Sequence, residues 1–145
     1  MFAKILIPTD GSKLAVAAAE NAVAFARDAN ASVVFAHVLE PFRIFTTDSD
    51  KLTASQEDYD RLSDQQAVQF LAEVELRARH QGVASYTVKL RKEEIHEGII
   101  QAAITNGCDL IALGSHGRGG VAGLILGSVT TKVLSHSRIP VLVYR

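Results

Sequence analysis

The stretch IALGSHGRGGVAGLILGSVTTKV, residues 111–133, is the most informative part of the chain. It contains six glycines and two serines between two apolar runs. The first run, within DLIALG, predicts a buried strand, and GSVTTKVLSHS predicts the helix that follows. Glycine is used where the backbone turns sharply or where a ligand approaches it closely. The connection therefore either only turns the chain or also binds a ligand.

Strands and helices alternate on both sides of this connection. Short apolar runs predict three more strands: KILIPTD, SVVFAHVLEP and IPVLVYR. The alternating segment SYTVKLR predicts a further strand that is half-exposed or at an edge. Helices are predicted for DGSKLAVAAAENAVAFARDANA, for residues 57–81 and for KEEIHEGIIQAAITNG. This order predicts an α/β fold: an open parallel sheet with helices on both faces, in a single domain spanning residues 1–145.

The first two predicted helices have an apolar face, and the first three have signals for where they start or end. Ser12 is the candidate N-cap of the first helix, and glycines at 82 and 107 end the second and third. The first helix is expected to bury Leu14, Ala17, Ala18, Ala22, Phe25, Ala26 and Ala29, and the second Ala67, Phe70, Leu71, Val74 and Ala78. Residues 42–56 show no clear period and predict a long loop.

Composition narrows the functional class. The chain has 145 residues, 48% hydrophobic and 21% charged, with a formal net charge of −1. That charge gives no footprint for nucleic acid or an anionic membrane. No apolar stretch approaches the roughly 20 residues that span a bilayer, and the first apolar run is too short for a secretion signal. A cytoplasmic protein is expected, with the single cysteine, Cys108, as a small half-buried residue.

Three catalytic or nucleotide motifs fit the glycine-rich connection poorly. The P-loop string G-x-x-x-x-G-K-[ST] does not occur. Residues 117–122 match the dinucleotide fingerprint G-x-G-x-x-[GA], but after the fourth strand and without an acidic residue about 20 positions on. No G-x-S-x-G elbow is present, and adjacency in sequence does not by itself orient His116 as a base for Ser115.

A fourth interpretation is an anion-binding site with the spacing Gly114-x2-Gly117-x9-Gly127-Ser128. Gly127 and Ser128 open the last helix, where unpaired backbone N–H groups and the helix dipole favour phosphate. The hydroxyls of Ser128 and Thr130 add possible donors. The residues alone leave this open against a plain N-cap at Ser128.

The whole chain resembles the universal stress protein family, and the connection is similar to that family's ATP-binding pattern G-2x-G-9x-G-[ST]. KILIPTDGS, the HV that ends the second strand, DLIALGSHGRGG and IPVLVYR also resemble family signatures. The resemblance implies a five-stranded sheet of order 3-2-1-4-5 and a homodimer paired along Val141–Tyr144. The chain departs from the family pattern after the third strand. The family has a small turn with glycine or proline there, whereas this chain has the charged segment LRKEEIHEGI.

The resemblance also implies binding roles around ATP. Adenine would lie near Asp10 and the backbone of Val38. The ribose and phosphates would lie near His116 and Gly117, where Arg118 could pair with phosphate. The terminal phosphates would lie at the start of the last helix. The full set is Pro8, Thr9, Asp10, Val38, Leu113, Gly114, His116, Gly117, Arg118, Gly127, Ser128, Val129 and Thr130. Mg²⁺ would be held through the phosphates, since no side-chain cluster has metal-ligand spacing.

Several readings stay open beside these roles. Asp10 can also cap the next helix, and Arg118 can be simply solvated. The other histidines are assigned to structure (His37, His136) or to exposed helix surface (His80, His96).

Three functions remain open. The first is an ATP-dependent cytoplasmic stress sensor or switch with little turnover and no catalytic residue. The second is a slow ATPase or self-phosphorylating protein that uses His116, Ser115, Ser128 or Thr130. The third is a nucleotide-free dimeric interaction module, in which the edge strand provides the contact. The sequence does not separate ATP from ADP, AMP or a cyclic nucleotide, and it indicates neither a nucleic-acid nor a membrane partner.

Overall fold

The computed structural model describes residues 1–42, 49–116 and 126–145, with the backbone only for 49–54. Strands and helices alternate along the chain, as the apolar periodicity predicts. The elements are β1 (Lys4–Pro8), α1 (Lys13–Asp28), β2 (Ser32–Leu39), α2 (Ser49–His80), β3 (Ser85–Arg91), α3 (Ile95–Thr105), β4 (Leu110–Gly114), α4 (Ser128–His136) and β5 (Val141–Tyr144).

The five strands form one parallel sheet of order β3-β2-β1-β4-β5, which confirms the predicted topology. Helices α1 and α2 cover one face, where Phe35 and Val23 are fully buried. Helices α3 and α4 cover the other face around Leu6, Ile111 and Val133. Because β1 lies between β2 and β4, the chain leaves β1 and β4 towards opposite sides of the sheet. Ligands of open α/β sheets bind at such a reversal, beyond the carboxyl ends of the strands.

The N-cap of α1 is confirmed, but its buried face is rotated from the predicted one. The Ser12 hydroxyl accepts a hydrogen bond from the Ala15 N–H at 3.1 Å. Leu14 and Ala17 are exposed, contrary to the prediction, and Phe25 and Ala29 are only partly buried. The buried residues are Ala15, Ala18, Ala19, Ala22, Val23 and Ala26. Alanines on both sides of the helix give too little hydropathy contrast to fix the stripe.

Helix α2 is much longer than predicted. It begins at Ser49, so the expected loop over residues 42–56 is wrong from 49 onward; residues 43–48 lie outside the described part. Polar contacts with the sheet hold its first half. The Tyr59 hydroxyl donates to the Glu40 carbonyl at 3.0 Å, and Arg91 on β3 lies 3.6 Å from the Asp60 carboxylate. The buried face (Ala67, Leu71, Val74, Ala78) matches the prediction, with Phe70 partly buried.

The remaining expectations divide between confirmation and correction. β3 is an edge strand with mostly exposed or half-buried residues, as predicted. His80 is exposed as expected, but His96 is buried, because α4 packs over the start of α3. Cys108 is 7% exposed, and burial raises the pKa of its thiol to about 11. In the described part of the chain, no helix has the length and apolarity to cross a membrane.

Candidate functional site at the carboxyl edge of the sheet

The turn after β1 is fixed by hydrogen bonds at Thr9. The Thr9 N–H donates to the Ala36 carbonyl at 2.9 Å, and the Thr9 carbonyl lies 2.8 Å from His37 Nδ1. The Thr9 hydroxyl accepts from the Gly11 N–H at 3.3 Å, and the residue is 5% exposed. Thr9 is therefore anchored to β2 on one side and to its own turn on the other, which supports the predicted structural assignment of His37.

Asp10 and Gly11 complete this turn. One Asp10 carboxylate oxygen accepts from the Ser12 N–H at 2.9 Å, so Asp10 shapes the turn while Ser12 caps the helix. Gly11 has φ +80°, a left-handed conformation that favours glycine. A Cβ at this position would overlap the ring of Phe70 on α2. The turn is thus closed by the long helix, a contact that the sequence does not indicate.

The end of β4 connects three elements through Ser115. Its N–H donates to the Tyr144 carbonyl of β5 at 2.7 Å, and its carbonyl accepts from the Gly127 N–H at 2.7 Å. A Cβ on Gly114 would lie 3.3 Å from the Ala18 side chain, so glycine allows β4 to approach α1 closely. The start of α4 therefore lies against the end of β4, close to the helix that follows the β1 turn.

Helix α4 begins without a side-chain cap. Its N-cap residue is Gly127, and Ser128 is the exposed first helical residue, so the reading of Ser128 as a plain N-cap is wrong. The first N–H groups of a helix have no intrahelical acceptor. A Cβ on Gly127 would lie 3.1 Å from the Ser115 carbonyl oxygen and 3.3 Å from His116 Cα. Glycine therefore lets the start of α4 lie close to Ser115 and His116, with no side chain to cover the first backbone N–H groups.

Thr130 and Val129 point away from the helix start into the structure. The Thr130 hydroxyl donates to the Gly114 carbonyl at 2.8 Å, and its side chain is 3% exposed. Val129 packs against the core formed with α3. Because both side chains are directed into the structure, Val129 and Thr130 could contact a phosphate only through their backbone N–H groups.

Ser115 and His116 form a pair that adjacency alone did not predict. Ser115 Oγ lies 3.0 Å from His116 Nδ1, and His116 is 7% exposed. If His116 carries its proton on Nε2, Nδ1 accepts the serine hydrogen; the tautomer sets the direction. The hydroxyl and the imidazole together form a possible acid-base pair at the end of β4.

On the other side of β1, Val38 is 9% exposed and packs against α3. A Cβ on Gly98 would lie only 2.7 Å from Val38 Cγ1, so the helix can approach β2 here only because residue 98 is glycine. Glycine is unfavourable inside a helix, so Gly98 within a predicted helix was the feature of the sequence that could have indicated this close contact. Phe70 gave no such signal, because its role depends on a helix distant in sequence.

The structure brings most of the predicted site residues to one edge. Pro8 ends β1, and Thr9 and Asp10 follow it. Leu113 and Gly114 end β4, His116 comes two residues later, and the start of α4, from Gly127 to Thr130, lies beside them. Val38 lies near the end of β2, the neighbour of β1. Gly117 and Arg118 lie outside the described residues. Within residues 1–42, 49–116 and 126–145, no group of three or more His, Cys, Asp or Glu side chains could hold a metal ion.

Comparison with known proteins agrees with this architecture. The profile described as "Universal stress protein family" matches residues 1–145. Universal stress protein MJ0531 of Methanocaldococcus jannaschii is 31% identical over 147 residues, covering 100% of this chain and 83% of the relative. Universal stress protein YxiE of Bacillus subtilis is 30% identical over 149 residues and covers 100% of both chains.

Solved structures give the same result. The structure of MJ0577 superposes with a TM-score of 0.83 at 28% identity, covering 99% of this chain and 95% of that one. A universal stress protein in complex with cAMP (TM-score 0.73, 23% identity, 99% and 97% coverage) shares the fold. So does the Archaeoglobus fulgidus universal stress protein in complex with dAMP (0.67, 21%, 99% and 98%). The end-to-end profile match and these full-length relatives show that the chain belongs to the universal stress protein family.

Proposed function

We propose that this protein binds ATP with Mg²⁺ at the carboxyl edge of β1 and β4 and acts in the cytoplasm as a stress-response switch with little turnover. The observation that carries the proposal is the start of α4, where the N-cap residue is a glycine and therefore offers no side-chain oxygen to the first backbone N–H groups. Such a helix start binds phosphate through its N–H groups and its dipole. The cAMP and dAMP complexes of two proteins with this fold support an adenine nucleotide as the ligand class.

The residues present fit such a ligand. Gly127 and Gly114 allow close approach of the backbone, and the start of α4 is hydrogen-bonded to Ser115. Ser128, Val129 and Thr130 would hold phosphates through backbone N–H groups, with the exposed Ser128 hydroxyl adding a donor. Asp10, Val38 and Leu113 would bound the adenine end, with Pro8 and Thr9, while His116, Gly117 and Arg118 would face ribose and phosphate. Mg²⁺ would be held by phosphate oxygens and water.

The first test is to denature purified protein and identify the released small molecules by mass spectrometry. Melting with added Mg-ATP then follows, because a ligand at 100 times its Kd stabilises a protein by about 2.7 kcal/mol. Gly127→Val is the decisive variant. Gly127 has φ −64°, which any residue adopts, so the substitution fills the site without forcing a left-handed backbone.

Ser135→Ala is the matched control, since Ser135 is an exposed residue of the same helix. We expect the wild type and the control to be stabilised by Mg-ATP, and Gly127→Val to lose the effect while keeping its circular dichroism spectrum. No released nucleotide and no stabilisation of the wild type at millimolar Mg-ATP would refute nucleotide binding. The nucleotide-free dimeric module would then replace it.

The Ser115–His116 pair favours a second candidate, slow phosphoryl transfer from ATP to Ser115. In this step the Ser115 oxygen forms a bond to the terminal phosphorus, the bond from that phosphorus to the bridging oxygen breaks, and ADP leaves. His116 Nδ1, 3.0 Å from the hydroxyl oxygen, takes the proton. Intact-mass spectrometry after incubation with Mg-ATP tests this. A gain of one phosphoryl group that Ser115→Ala abolishes and the control Ser135→Ala retains supports it; no gain rejects it.

We also propose a homodimer through β5. This strand is at the edge of the sheet, and its residues Val141–Tyr144 are half-buried. The carbonyls of Pro140 and Tyr144 accept from β4, so by alternation the N–H and C=O groups of Val143 point to the open edge. Val143→Pro removes one outward donor. Light scattering should give a dimer for the wild type and a monomer for this variant; a monomeric wild type contradicts the proposal.

A further inference from the structure

Two histidine rings contact each other between α3 and α4, one at the start of α3 and the other at the end of α4. The ring centres of His96 and His136 are 5.0 Å apart, with an angle of 44° between the ring planes. Both rings line a cavity of about 350 Å³ together with Glu97, Ile100, Gln101 and Ile104. His96 is buried and His136 is exposed. None of these residues belongs to the proposed nucleotide site, and the pairing of two helices creates the cluster.

The Nδ1 atom of each ring faces an oxygen. His136 Nδ1 lies 2.8 Å from the Lys132 carbonyl oxygen, which can only accept, so Nδ1 carries the hydrogen. His96 Nδ1 lies 3.6 Å from a Glu94 carboxylate oxygen, which is too far for a hydrogen bond, but the negative charge still favours hydrogen on the nitrogen that faces it. In each neutral ring the lone pair is then on Nε2. Metal-binding histidines typically have this arrangement, with the second nitrogen donating to a carbonyl or carboxylate.

The spacing of the rings also fits one shared ion. Zinc–nitrogen bonds of about 2.0–2.1 Å in a tetrahedral site place two imidazole centres about 5 Å apart. The observed separation of 5.0 Å agrees with this value.

The charges around the pair suit a cation. The carboxylate of Glu94 lies beside His96, and Glu97 lines the cavity. The nearby ammonium group of Lys132 lies 3.3 Å from the Glu94 carboxylate, so its charge is balanced within the same cluster. Glu97 therefore provides a carboxylate at the cavity that forms no ion pair within the described residues.

We propose that His96 and His136 bind a borderline transition-metal ion, Zn²⁺ in the first instance, through their Nε2 atoms. Because the described residues hold no group of three metal-ligating side chains, the remaining positions belong to water. Imidazole ligands also suit Cu²⁺ and Ni²⁺, which compete for such a site. The ion would join the start of α3 to the end of α4.

Calorimetric titration of Zn²⁺ into tag-free, chelator-treated protein, with no nucleotide added, tests the site. We expect one ion per chain and at least a tenfold loss of affinity in His136→Ala. His136 is exposed, so this variant keeps the fold, which circular dichroism checks. His80→Ala, an exposed histidine of α2, is the matched control and should bind as the wild type does.

A second measurement reports the ligands directly. The Co²⁺-loaded protein should show visible absorption bands of a low-coordinate nitrogen site, and both His136→Ala and His96→Gln should remove them. Failure of the wild type to bind Zn²⁺ overturns the proposal. So does equal affinity in His136→Ala and His80→Ala, which would place the ion elsewhere.

Discussion

The Thr130 hydroxyl donates a 2.8 Å hydrogen bond to the Gly114 carbonyl, which joins the first turn of α4 to the last residue of β4. Thr130→Val keeps the shape of the side chain but leaves this part-buried carbonyl without its partner. We expect a loss of about 1–3 kcal/mol in the free energy of unfolding, measured by urea denaturation.

Thr131→Val is the control for this substitution. Thr131 makes a similar bond, 2.9 Å to the Gly127 carbonyl, but is exposed, so water replaces the lost donor. The Thr131 variant should lose clearly less stability. Equal losses would show that the bond to Gly114 has no special importance for docking α4.

Gly11→Ala should destabilise the protein by more than Gly82→Ala. Both glycines have positive φ, +80° and +71°, and a non-glycine residue in this region costs about 1–3 kcal/mol. A Cβ at residue 82 has nothing within 4 Å, whereas one at residue 11 overlaps Phe70. The difference between the two unfolding free energies therefore measures the closure of the β1 turn by α2.

Replacing Phe70 separates the two effects at Gly11. In a Phe70→Ala background the additional loss caused by Gly11→Ala should shrink to that of Gly82→Ala. An unchanged difference would mean that the backbone conformation, not the phenyl ring, accounts for the requirement for glycine.

Gly98→Ala should displace the Val38 side chain and weaken the proposed adenine contact. The new Cβ would lie 2.7 Å from Val38 Cγ1, so either the helix or the strand must shift. We expect lower stability and a smaller thermal stabilisation by Mg-ATP. The double variant Gly98→Ala/Val38→Ala should recover part of both; recovery of neither would show that the two residues do not restrict one another.

Acid should weaken the connection between Asp109 and the start of β1. Burial alone would raise the pKa of this carboxyl, but the N–H groups of Ala3 and Lys4, at 2.9 and 3.1 Å, hold the pKa below its usual value. Because the pKa is lower in the folded state, this contribution is present above the unfolded pKa of about 3.9 and is lost as pH falls below it.

Asp109→Asn removes the titrating carboxyl group and tests whether it causes this loss of stability at low pH. Urea denaturation between pH 6 and 3 should show a shallower loss of stability in this variant than in the wild type. Asp28→Asn, at an exposed ion pair with Arg27, serves as the control and should follow the wild type. Parallel curves for all three proteins would exclude Asp109 as a contributor.

The sequence was sufficient for the five strands, because four are short apolar runs and SYTVKLR alternates, while the order of the strands was implied by the family resemblance. It was insufficient where packing decides. Helix α1 is rich in alanine, so Leu14 and Ala17 could not be distinguished from the alanines that are buried. The first turns of α2 have no apolar periodicity, so the sequence did not predict them as helix. The contacts described there are polar, such as the hydrogen bond from the Tyr59 hydroxyl to the carbonyl of Glu40, the residue after β2.

The site shows the same division. Glycine spacing indicated the start of α4 and the end of β4, since these depend on local backbone requirements. The burial of His96 and the packing of the Phe70 ring against Gly11 depend on helices distant in sequence. The Ser115–His116 hydrogen bond depends on rotamers, which no residue pattern specifies.

The two backbone hydrogen bonds of Ser115 connect distant parts of the structure mechanically. One bonds the last carbonyl of β5 and the other bonds the N–H of Gly127, so a single residue couples the outer strand to the start of α4. We therefore expect any pull on Gly127 to be transmitted to Tyr144 without a hinge or domain motion. Amide hydrogen exchange at β5, with and without Mg-ATP, would show whether occupancy of the proposed site changes the protection of the strand that is proposed to form the dimer.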